Sequence, residues 1–409
     1  MAIYFFLPVY RKLNLDTAYE YLERRFDKKM RILGSALFII YQIGRMSIIM
    51  YLPAIALAAV TGINTIVIIL FMGVIATIYS SFGGIKSVLW TDFIQGVVLI
   101  GGGIFALIVL LFTIDGGFGE VVSKGVADQK FFSDVVLFDP NFVNNSVLLL
   151  IVGAGLSTAF SYISSQDMVQ RYLTTDDLKE MNKMTTLNGV LSLGTATLFF
   201  FIGTALYVFY TQQAGSLPEG KADLIFANFI VSELPAGISG LLIAGLFAAG
   251  QSTLSTGLNS VATSWTLDIQ KVIKPNMSDE KSTKIARNVS TIVGIFSIVF
   301  AIVLAYSDVS SAYSWFNGLM GLVLGIVGGT FTLGVLTKKA NSKGALYGFI
   351  ATAIVAIYVS YFTDISLWAY SIINLVTSIV FGYGFSILFG GKSKAENGDL
   401  TYYDHKKAM

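Results

Sequence analysis

The chain has 409 residues, of which 55% are hydrophobic and 13% are charged, and its formal net charge is +2. A soluble protein would carry roughly a quarter charged residues, so this composition excludes an ordinary soluble domain. Because the sequence has no cysteine, it also excludes disulfides, thiolate nucleophiles and cysteine-ligated metals. The single histidine, His405, lies in a polar C-terminal stretch, where we expect it to be solvated.

Ten hydrophobic runs predict an all-α polytopic membrane protein, because a spanning helix needs about 20 mostly apolar residues. The runs cover residues 32–60, 64–82, 87–113, 146–169, 184–212, 238–265, 286–306, 312–336, 344–362 and 366–390. Several of them exceed about 25 residues, so tilt or a break in the helix is expected.

The two ends of the chain differ from these spans. Residues 1–10 are predicted to be the last turns of a further helix, so we expect that upstream sequence of the same domain is missing. Residues 15–29 predict a charged amphipathic helix on the membrane surface. We assign residues 1–390 to one transmembrane domain and residues 391–409 to a polar tail, which its composition predicts to be disordered.

Lysine and arginine alternate between the loops. Of the 27 basic residues, 23 lie in one set of loops and ends, namely 11–31, 83–86, 170–183, 266–287, 337–343 and 391–409. The positive-inside rule places that set, and with it the C-terminus, in the cytoplasm. The opposite loops hold Lys124, Lys130 and Lys221, which leaves Arg45 as the one basic residue inside an apolar run.

Arg45 is a candidate functional residue, since a guanidinium at bilayer depth costs several kcal/mol unless it is paired or hydrated. Its forked donors suit a carboxylate, and Gln42 lies three residues earlier on the same helical face. The two residues could therefore hold an anionic substrate in a water-filled cavity. An internal ion pair between Arg45 and a carboxylate on another helix explains the residue type equally well.

Two further features could bind a cation. Asp92 lies about one and a half turns into its run, where it could bind a cation or a proton, or could pair with Lys86 or cap a backbone at the interface. Four hydroxyls follow one another at helical spacing: Ser252, Thr253, Ser255 and Thr256. Hydroxyls, carbonyls and one carboxylate are suitable ligands for Na⁺. Hydroxyls in membrane helices also bond to their own backbone or allow close packing, which is the alternative here.

Polar or small residues mark two other stretches. One hydrophobic run ends in Gln166, Asp167 and Gln170, which could line a gate or form an ordinary interfacial helix end. Three glycines follow the small-residue spacing of packed membrane helices: Gly321, Gly325 and Gly329. We expect these glycines to serve close packing.

Four segments together resemble the sodium:solute symporter family: FGGIKSVLWTDFIQGVVL, SSQDMVQRYL, AAGQSTLSTGLNSVATSWTLDI and GVLTKKANSKGALYG. They follow the family's order, and the resemblance covers essentially the whole chain. It implies a LeuT-type inverted-repeat fold with binding sites near the membrane midplane. It also implies that the fold is N-terminally incomplete, without the first core helix and most of the second.

The resemblance implies roles for individual residues. The sodium site on the family's eighth core helix corresponds to Ala249 (through its carbonyl), Ser252 and Thr253. A second sodium site, present in the sialic acid transporters of the family, corresponds to Asp92, Ser252, Ser255 and Thr256. Arg45 stands where those transporters hold the carboxylate of their substrate.

The resemblance therefore predicts a Na⁺-coupled symporter, not an enzyme, that imports an organic solute through the bacterial inner membrane by alternating access. The predicted solute is sialic acid (N-acetylneuraminate), and the predicted partners are Na⁺ and the lipid bilayer, with no organic cofactor and no nucleic acid. Three alternatives stay open. They are a symporter for another organic anion or sugar, a channel, and a fragment that does not transport.

Overall fold

The computed structural model describes residues 1–82, 85–131, 136–175, 177–213, 224–307, 312–398 and 400–405, with their side chains apart from those of 60, 79, 81, 82, 85–92, 236, 313, 396, 397 and 405. This part of the chain is helical and contains no strand. Its α-helices are α1 Leu7–Leu13, α2 Glu20–Arg25, α3 Lys28–Thr61, α4 Thr65–Phe82, α5 Ile85–Thr113, α6 Gly117–Ala127, α7 Val147–Ser164, α8 Gln166–Tyr172, α9 Leu178–Gln213, α10 Ile225–Ser232, α11 Ala236–Ser264, α12 Lys271–Ile273, α13 Asp279–Tyr306, α14 Ala312–Leu319, α15 Gly325–Leu336, α16 Ser342–Phe362, α17 Tyr370–Phe389 and α18 Tyr402–His405. Stretches of π-helix cover Ala2–Phe6, Trp265–Gln270 and Met320–Leu324.

The predicted spans coincide with long helices of this structure. Within the described ranges, 9 helices are long and apolar enough to cross a membrane, and α4 adds a shorter apolar stretch, Thr65–Ile78. Several helices begin earlier than the hydrophobic runs, because their first turns are polar. Helix α3 begins at Lys28, where the Asp27 carboxylate accepts a hydrogen bond from the backbone N–H of Met30 at 3.0 Å. Such a cap satisfies a donor that the helix itself leaves unpaired.

The N-terminal residues are buried in the protein, which corrects the prediction of a surface helix over residues 15–29. Within these residues only the short helix Glu20–Arg25 precedes α3, which begins at Lys28. Tyr19, Tyr21 and Phe26 are fully buried, and the first two make ring contacts with Phe331 of α15. The prediction was based on the charged residues of this segment and did not consider its aromatic side chains. Their burial stabilises the contact with the helix bundle.

The described part of the C-terminal stretch, 391–398 and 400–405, also packs against the helices, which corrects the prediction of a disordered tail for these residues; 399 and 406–409 lie outside the described residues. Arg25 is fully buried and donates from Nη1 to the carbonyl of Ala340 at 2.9 Å and to the hydroxyl of Ser393 at 3.2 Å. The hydroxyl of Tyr21 donates to the carbonyl of Leu400 at 3.0 Å. Burial lowers the pKa of the Arg25 guanidinium. Composition alone could not reveal these partners, which lie more than 300 residues away along the chain.

The predicted span 146–169 is two helices, which corrects the single continuous run. Helix α7 ends at Ser164, Ser165 has an extended backbone (φ −84°, ψ 124°), and α8 begins at Gln166. A break frees backbone groups that a continuous helix would pair, and such groups need partners away from water. The hydroxyl of Tyr19 supplies one by donating to the carbonyl of Ser164 at 2.8 Å.

The glycine stripe packs against α17, which confirms the packing interpretation. A Cβ atom at Gly329 would lie 2.5 Å from the hydroxyl of Ser378, and one at Gly325 would lie 2.9 Å from the amide nitrogen of Asn374. Asn374 also donates to the carbonyl of Gly321 at 3.0 Å, where the chain between α14 and α15 is π-helical. The stripe thus lets two helices approach closely while one of them departs from α-helical pairing.

Candidate functional site

Arg45, at the middle of α3, forms an ion pair with Asp167 in the first turn of α8. Arg45 Nη1 lies 2.5 Å from Asp167 Oδ2, and Asp167 Oδ1 accepts a hydrogen bond from the hydroxyl of Ser165. The side chain of Asp167 is 5% exposed and that of Arg45 is 22% exposed. Opposite charges compensate each other when they are withdrawn from water, so each makes the other tolerable inside the protein. The structure therefore contains the internal ion pair that was the alternative interpretation of Arg45. The arginine side chain nevertheless remains partly exposed.

Gln42 lies one turn before Arg45 on the same helix and is fully buried. Among the residues described, neither its amide oxygen nor its amide nitrogen has a hydrogen-bond partner. The amide packs against α11, because a Cβ atom at Gly257 would lie 2.8 Å from Gln42 Nε2. A buried amide without partners is costly. Gln42 is thus a polar group that a bound molecule could satisfy.

The hydroxyl residues of α11 directly precede that glycine. Thr253 Oγ1 donates to the carbonyl of Ala249 at 3.0 Å, and Ser255 Oγ donates to the carbonyl of Ser252 at 3.0 Å. These bonds have the geometry of the backbone-bonding alternative, and they also bring hydroxyl and carbonyl oxygens together as a cation site requires. Thr256 Oγ1 is buried and has no hydrogen-bond partner within the described ranges. The structure thus places this cluster beside Gln42, and the sodium roles stay predictions.

Asp92 belongs to α5, but its side chain lies outside the described residues. Its predicted place in a second sodium site therefore stays a prediction.

The predicted gate residues lie where the helix is broken. Gln166 is fully buried, and its amide oxygen accepts a hydrogen bond from the backbone N–H of Ala18 at 2.8 Å. Its amide nitrogen has no partner in the described part of the chain. Asp167 carries the ion pair, whereas Gln170 is half-buried further along α8. Two of the three residues thus connect the break to other elements.

An apolar cavity of about 310 Å³ lies between α3, α5, α9, α10 and α11. On α3 it begins at Leu52, about two turns beyond Arg45. Its walls include Pro53, Phe199 and Phe247, which offer no ligand to a carboxylate or a cation. The polar candidate site is therefore the Arg45, Gln42 and α11 cluster, and not this cavity.

Two acidic partners were not recognised from the sequence. The sequence predicted Asp167 as a gate residue. It did not reveal that Asp167 pairs with Arg45, which lies 122 positions earlier. The available signal was that Arg45 and two aspartates, Asp92 and Asp167, lie within predicted spans, so either carboxylate was a possible partner. Asp268, which is fully buried, was missed altogether, and its Oδ1 accepts a hydrogen bond from Arg31 Nε at 2.8 Å.

The fold and the site define a class of protein. A multi-pass helical bundle with a discontinuous helix and a buried polar site beside the break is the architecture of secondary transporters. Such breaks are tolerated in membranes where the freed backbone is buried in protein or lines a cavity.

Comparisons with known proteins identify the family. Residues 1–352 match the model of the sodium:solute symporter family. The chain is 36% identical over 384 residues to the sodium/sialic acid symporter NanT of Aliivibrio fischeri, covering 94% of this chain and 76% of that protein. It is 37% identical over 384 residues to the sodium/sialic acid symporter SiaT of Proteus mirabilis, covering 93% of this chain and 77% of that protein.

A solved structure gives the same result. It is described as the substrate-bound outward-open state of a Na⁺-coupled sialic acid symporter, and it superposes with a TM-score of 0.87 at 35% identity. The match covers 96% of this chain and 81% of the other, and it confirms the predicted LeuT-type fold. The chain belongs to the sodium:solute symporter family. It is accordingly a transporter and not an enzyme, and a multi-pass protein of the inner membrane.

Proposed function

We propose that this symporter imports N-acetylneuraminate, the sialic acid anion, together with Na⁺. Membership of the sodium:solute symporter family supports the sodium coupling, and the relatives named for sialic acid support the substrate. The observation that carries the substrate class is the guanidinium of Arg45. It lies inside the bundle and is partly exposed, as a receptor for a carboxylate must be.

Arg45 and Gln42 form the proposed substrate site. The fork of the arginine binds the carboxylate through two parallel hydrogen bonds, which fixes the orientation of the sugar acid. The amide of Gln42 both donates and accepts, so it can bind a hydroxyl or an acetamido group of the same molecule. Its two unpaired atoms would then gain partners, which favours the solute that supplies them.

Two sodium sites are proposed on and beside α11. The first uses the carbonyl oxygen of Ala249 and the hydroxyls of Ser252 and Thr253. The second uses the carboxylate of Asp92 with the hydroxyls of Ser252, Ser255 and Thr256. Neutral oxygens and one carboxylate suit a hard monovalent cation, and the bound charge compensates that carboxylate.

Coupling between Na⁺ and solute follows from the adjacency of the two sites. Occupied sodium sites stabilise a conformation that binds solute, and the linkage is reciprocal. Gln166 and Asp167 act as the proposed gate at the helix break. The basic end of the bundle and the C-terminus face the cytoplasm in this proposal. Each positive charge that moves inward gains about 2.3 kcal/mol per 100 mV of membrane potential.

A binding measurement tests the proposal. We expect isothermal titration of the purified protein to show N-acetylneuraminate binding in NaCl and at least about ten-fold weaker binding when K⁺ replaces Na⁺. Preferential binding of another organic anion or of a neutral sugar would contradict the assignment of N-acetylneuraminate as the substrate. Binding that is indifferent to Na⁺ would contradict the coupling.

A further inference from the structure

We propose that Asp167 is an exchangeable counter-ion for Arg45, which the carboxylate of the solute displaces on binding. The inference rests on the proposed function, because it assumes that Arg45 receives the solute carboxylate. It adds a role for Asp167 beyond that of a gate residue. The aspartate holds the arginine while the site is empty and yields it to an acidic solute.

The contact geometry allows this exchange. The contact between the two side chains uses one guanidinium nitrogen, Nη1, and one carboxylate oxygen, Oδ2. Within the described ranges, Nε and Nη2 of Arg45 make no hydrogen bond. The pair is therefore a one-point contact and not the two-point contact that an arginine makes with a carboxylate in its strongest geometry. An incoming carboxylate can engage the remaining donors before the internal contact breaks.

The charge balance at Arg45 favours the exchange. Arg45 and Asp167 together are neutral, so a solute anion that simply joined them would add a negative charge that neither side chain compensates. If the solute carboxylate replaces Asp167, the arginine keeps one counter-ion and the site stays neutral. The binding of an anion is thus tied to the departure of this aspartate.

The position of Asp167 links its departure to the broken helix. It lies two residues after Ser165, whose extended backbone separates α7 from α8, so α8 is not held by continuous helical hydrogen bonds. The Ser165 hydroxyl bonds to Oδ1 and can stay with the carboxylate when Oδ2 leaves. Arg171, one turn further along α8, lies on the same helical face as Asp167 and supplies a positive charge to the released carboxylate.

The ion pair also affects the selectivity between acidic and neutral solutes. A neutral solute of the same shape cannot replace Asp167, because it offers the arginine no charge. It must either leave the pair closed or separate two buried charges without compensation. Asp167 therefore favours acids over neutral sugars, in addition to the direct attraction of Arg45.

The decisive experiment removes the competing charge and measures solute affinity. Asp167→Asn keeps the shape, and by population-shift reasoning it should bind N-acetylneuraminate about five-fold or more tightly than the wild type in saturating NaCl. Asp167→Ser, a second neutral variant, should do the same. The matched control is Asp364→Asn, which makes the same change of charge at an exposed residue and should leave affinity unchanged.

The outcomes separate this inference from the proposed function. If the wild type binds no N-acetylneuraminate, the proposed function fails and the exchange fails with it. If the wild type binds but the folded Asp167 variants bind equally or more weakly, the function stands and the exchange is wrong. Weaker binding would make Asp167 a positioning residue for Arg45.

A measurement that keeps the pair intact covers the case in which neither variant folds. The chain has no cysteine, so Met168→Cys places a single thiol on α8, next to Asp167. N-acetylneuraminate should change the rate of maleimide labelling about three-fold or more, because the exchange shifts α8 toward the conformation in which Asp167 has left Arg45. Its neutral methyl ester should leave the rate unchanged. An equal effect of acid and ester, or no effect of the acid, would overturn the exchange.

Discussion

The hydroxyl of Tyr19 donates a hydrogen bond to the carbonyl of Ser164, 2.8 Å away, at the residue where α7 ends. Nearby, the hydroxyl of Tyr10 donates to the carbonyl of Ile163. Two tyrosines of the N-terminal segment thus satisfy successive carbonyls at the break in the helix. The segment before α3 is therefore part of the structure that allows α8 to begin beside Arg45.

Tyr19→Phe should destabilise the protein by about 1–3 kcal/mol, because a buried carbonyl loses its donor while the ring is kept. Thermal unfolding in detergent, followed by circular dichroism, measures the loss. Tyr306→Phe is the matched control, since that tyrosine is 78% exposed, and it should leave the unfolding temperature unchanged. Equal unfolding temperatures for the two variants would show that the Tyr19 bond does not support the break.

Much of the fold could be predicted from the sequence. Long apolar runs identify spanning helices because the bilayer requires a minimum apolar length. The break at Ser165 could not be predicted in the same way, because the polar residues around it are compatible both with the end of a helix at the membrane interface and with a break inside the membrane. The carbonyls at the break are paired with Tyr10 and Tyr19, more than 140 residues earlier, and hydropathy does not report such contacts. The same reason explains the error about the C-terminal tail, whose partner is the buried Arg25.

Arg45→Ala should abolish measurable binding of N-acetylneuraminate, and Arg45→Lys should recover only part of it, because an ammonium cannot make the two-point contact. Isothermal titration in NaCl provides the measurement. Arg287→Ala, at an exposed position of α13, is the matched control and should bind as the wild type does. Normal binding by a folded Arg45→Ala protein would make Arg45 purely structural.

The stability of the same variants gives an independent result. Arg45→Ala leaves Asp167 buried without its counter-ion and should cost about 3–5 kcal/mol of stability. Adding Asp167→Ala should restore much of that stability, because no buried charge is then left unpaired. Binding should not return in the double variant. If stability is lost additively, the two side chains do not form a coupled pair in solution.

Residue types predicted the candidate site, but not its internal pairing. Arg45 was identified because a charge inside a membrane helix is costly. The hydroxyls of α11 were identified because helical spacing groups oxygens that suit Na⁺. The contact between Gln42 and Gly257 brings the two groups together, and helical spacing on one element cannot reveal a contact between two elements. The ion pair of Arg45 and Asp167 also joins two separate helices, so helical spacing could not predict it either.

Replacing Ser252 and Thr253 together by alanine should raise the Na⁺ concentration that gives half-maximal solute binding, because two proposed sodium ligands are removed. We expect an increase of about ten-fold or more, which corresponds to about 1.4 kcal/mol. Thr283→Ala with Thr291→Ala removes two exposed hydroxyls of α13 as a control. An unchanged Na⁺ dependence in the folded α11 variant would return these hydroxyls to a packing role.

Asp92→Asn should weaken one of two sodium sites, because it removes the charge that a bound Na⁺ compensates and keeps the shape of the side chain. The Hill coefficient for Na⁺ should fall toward one, while the Ser252 and Thr253 site continues to support solute binding. The Na⁺ dependence of binding in the variant and the wild type makes the comparison. Unaltered cooperativity, in a protein shown to bind more than one Na⁺, would place the second site elsewhere.

Uptake by the reconstituted protein is the most direct measurement of sodium-coupled sialic acid transport. Radiolabelled N-acetylneuraminate is added outside proteoliposomes that have an inward Na⁺ gradient and an inside-negative membrane potential. Accumulation above the external concentration is predicted, with collapse when K⁺ replaces Na⁺ or when Arg45→Ala replaces the wild type. Uptake that only equilibrates, or that proceeds equally without Na⁺, would contradict coupled transport by this chain.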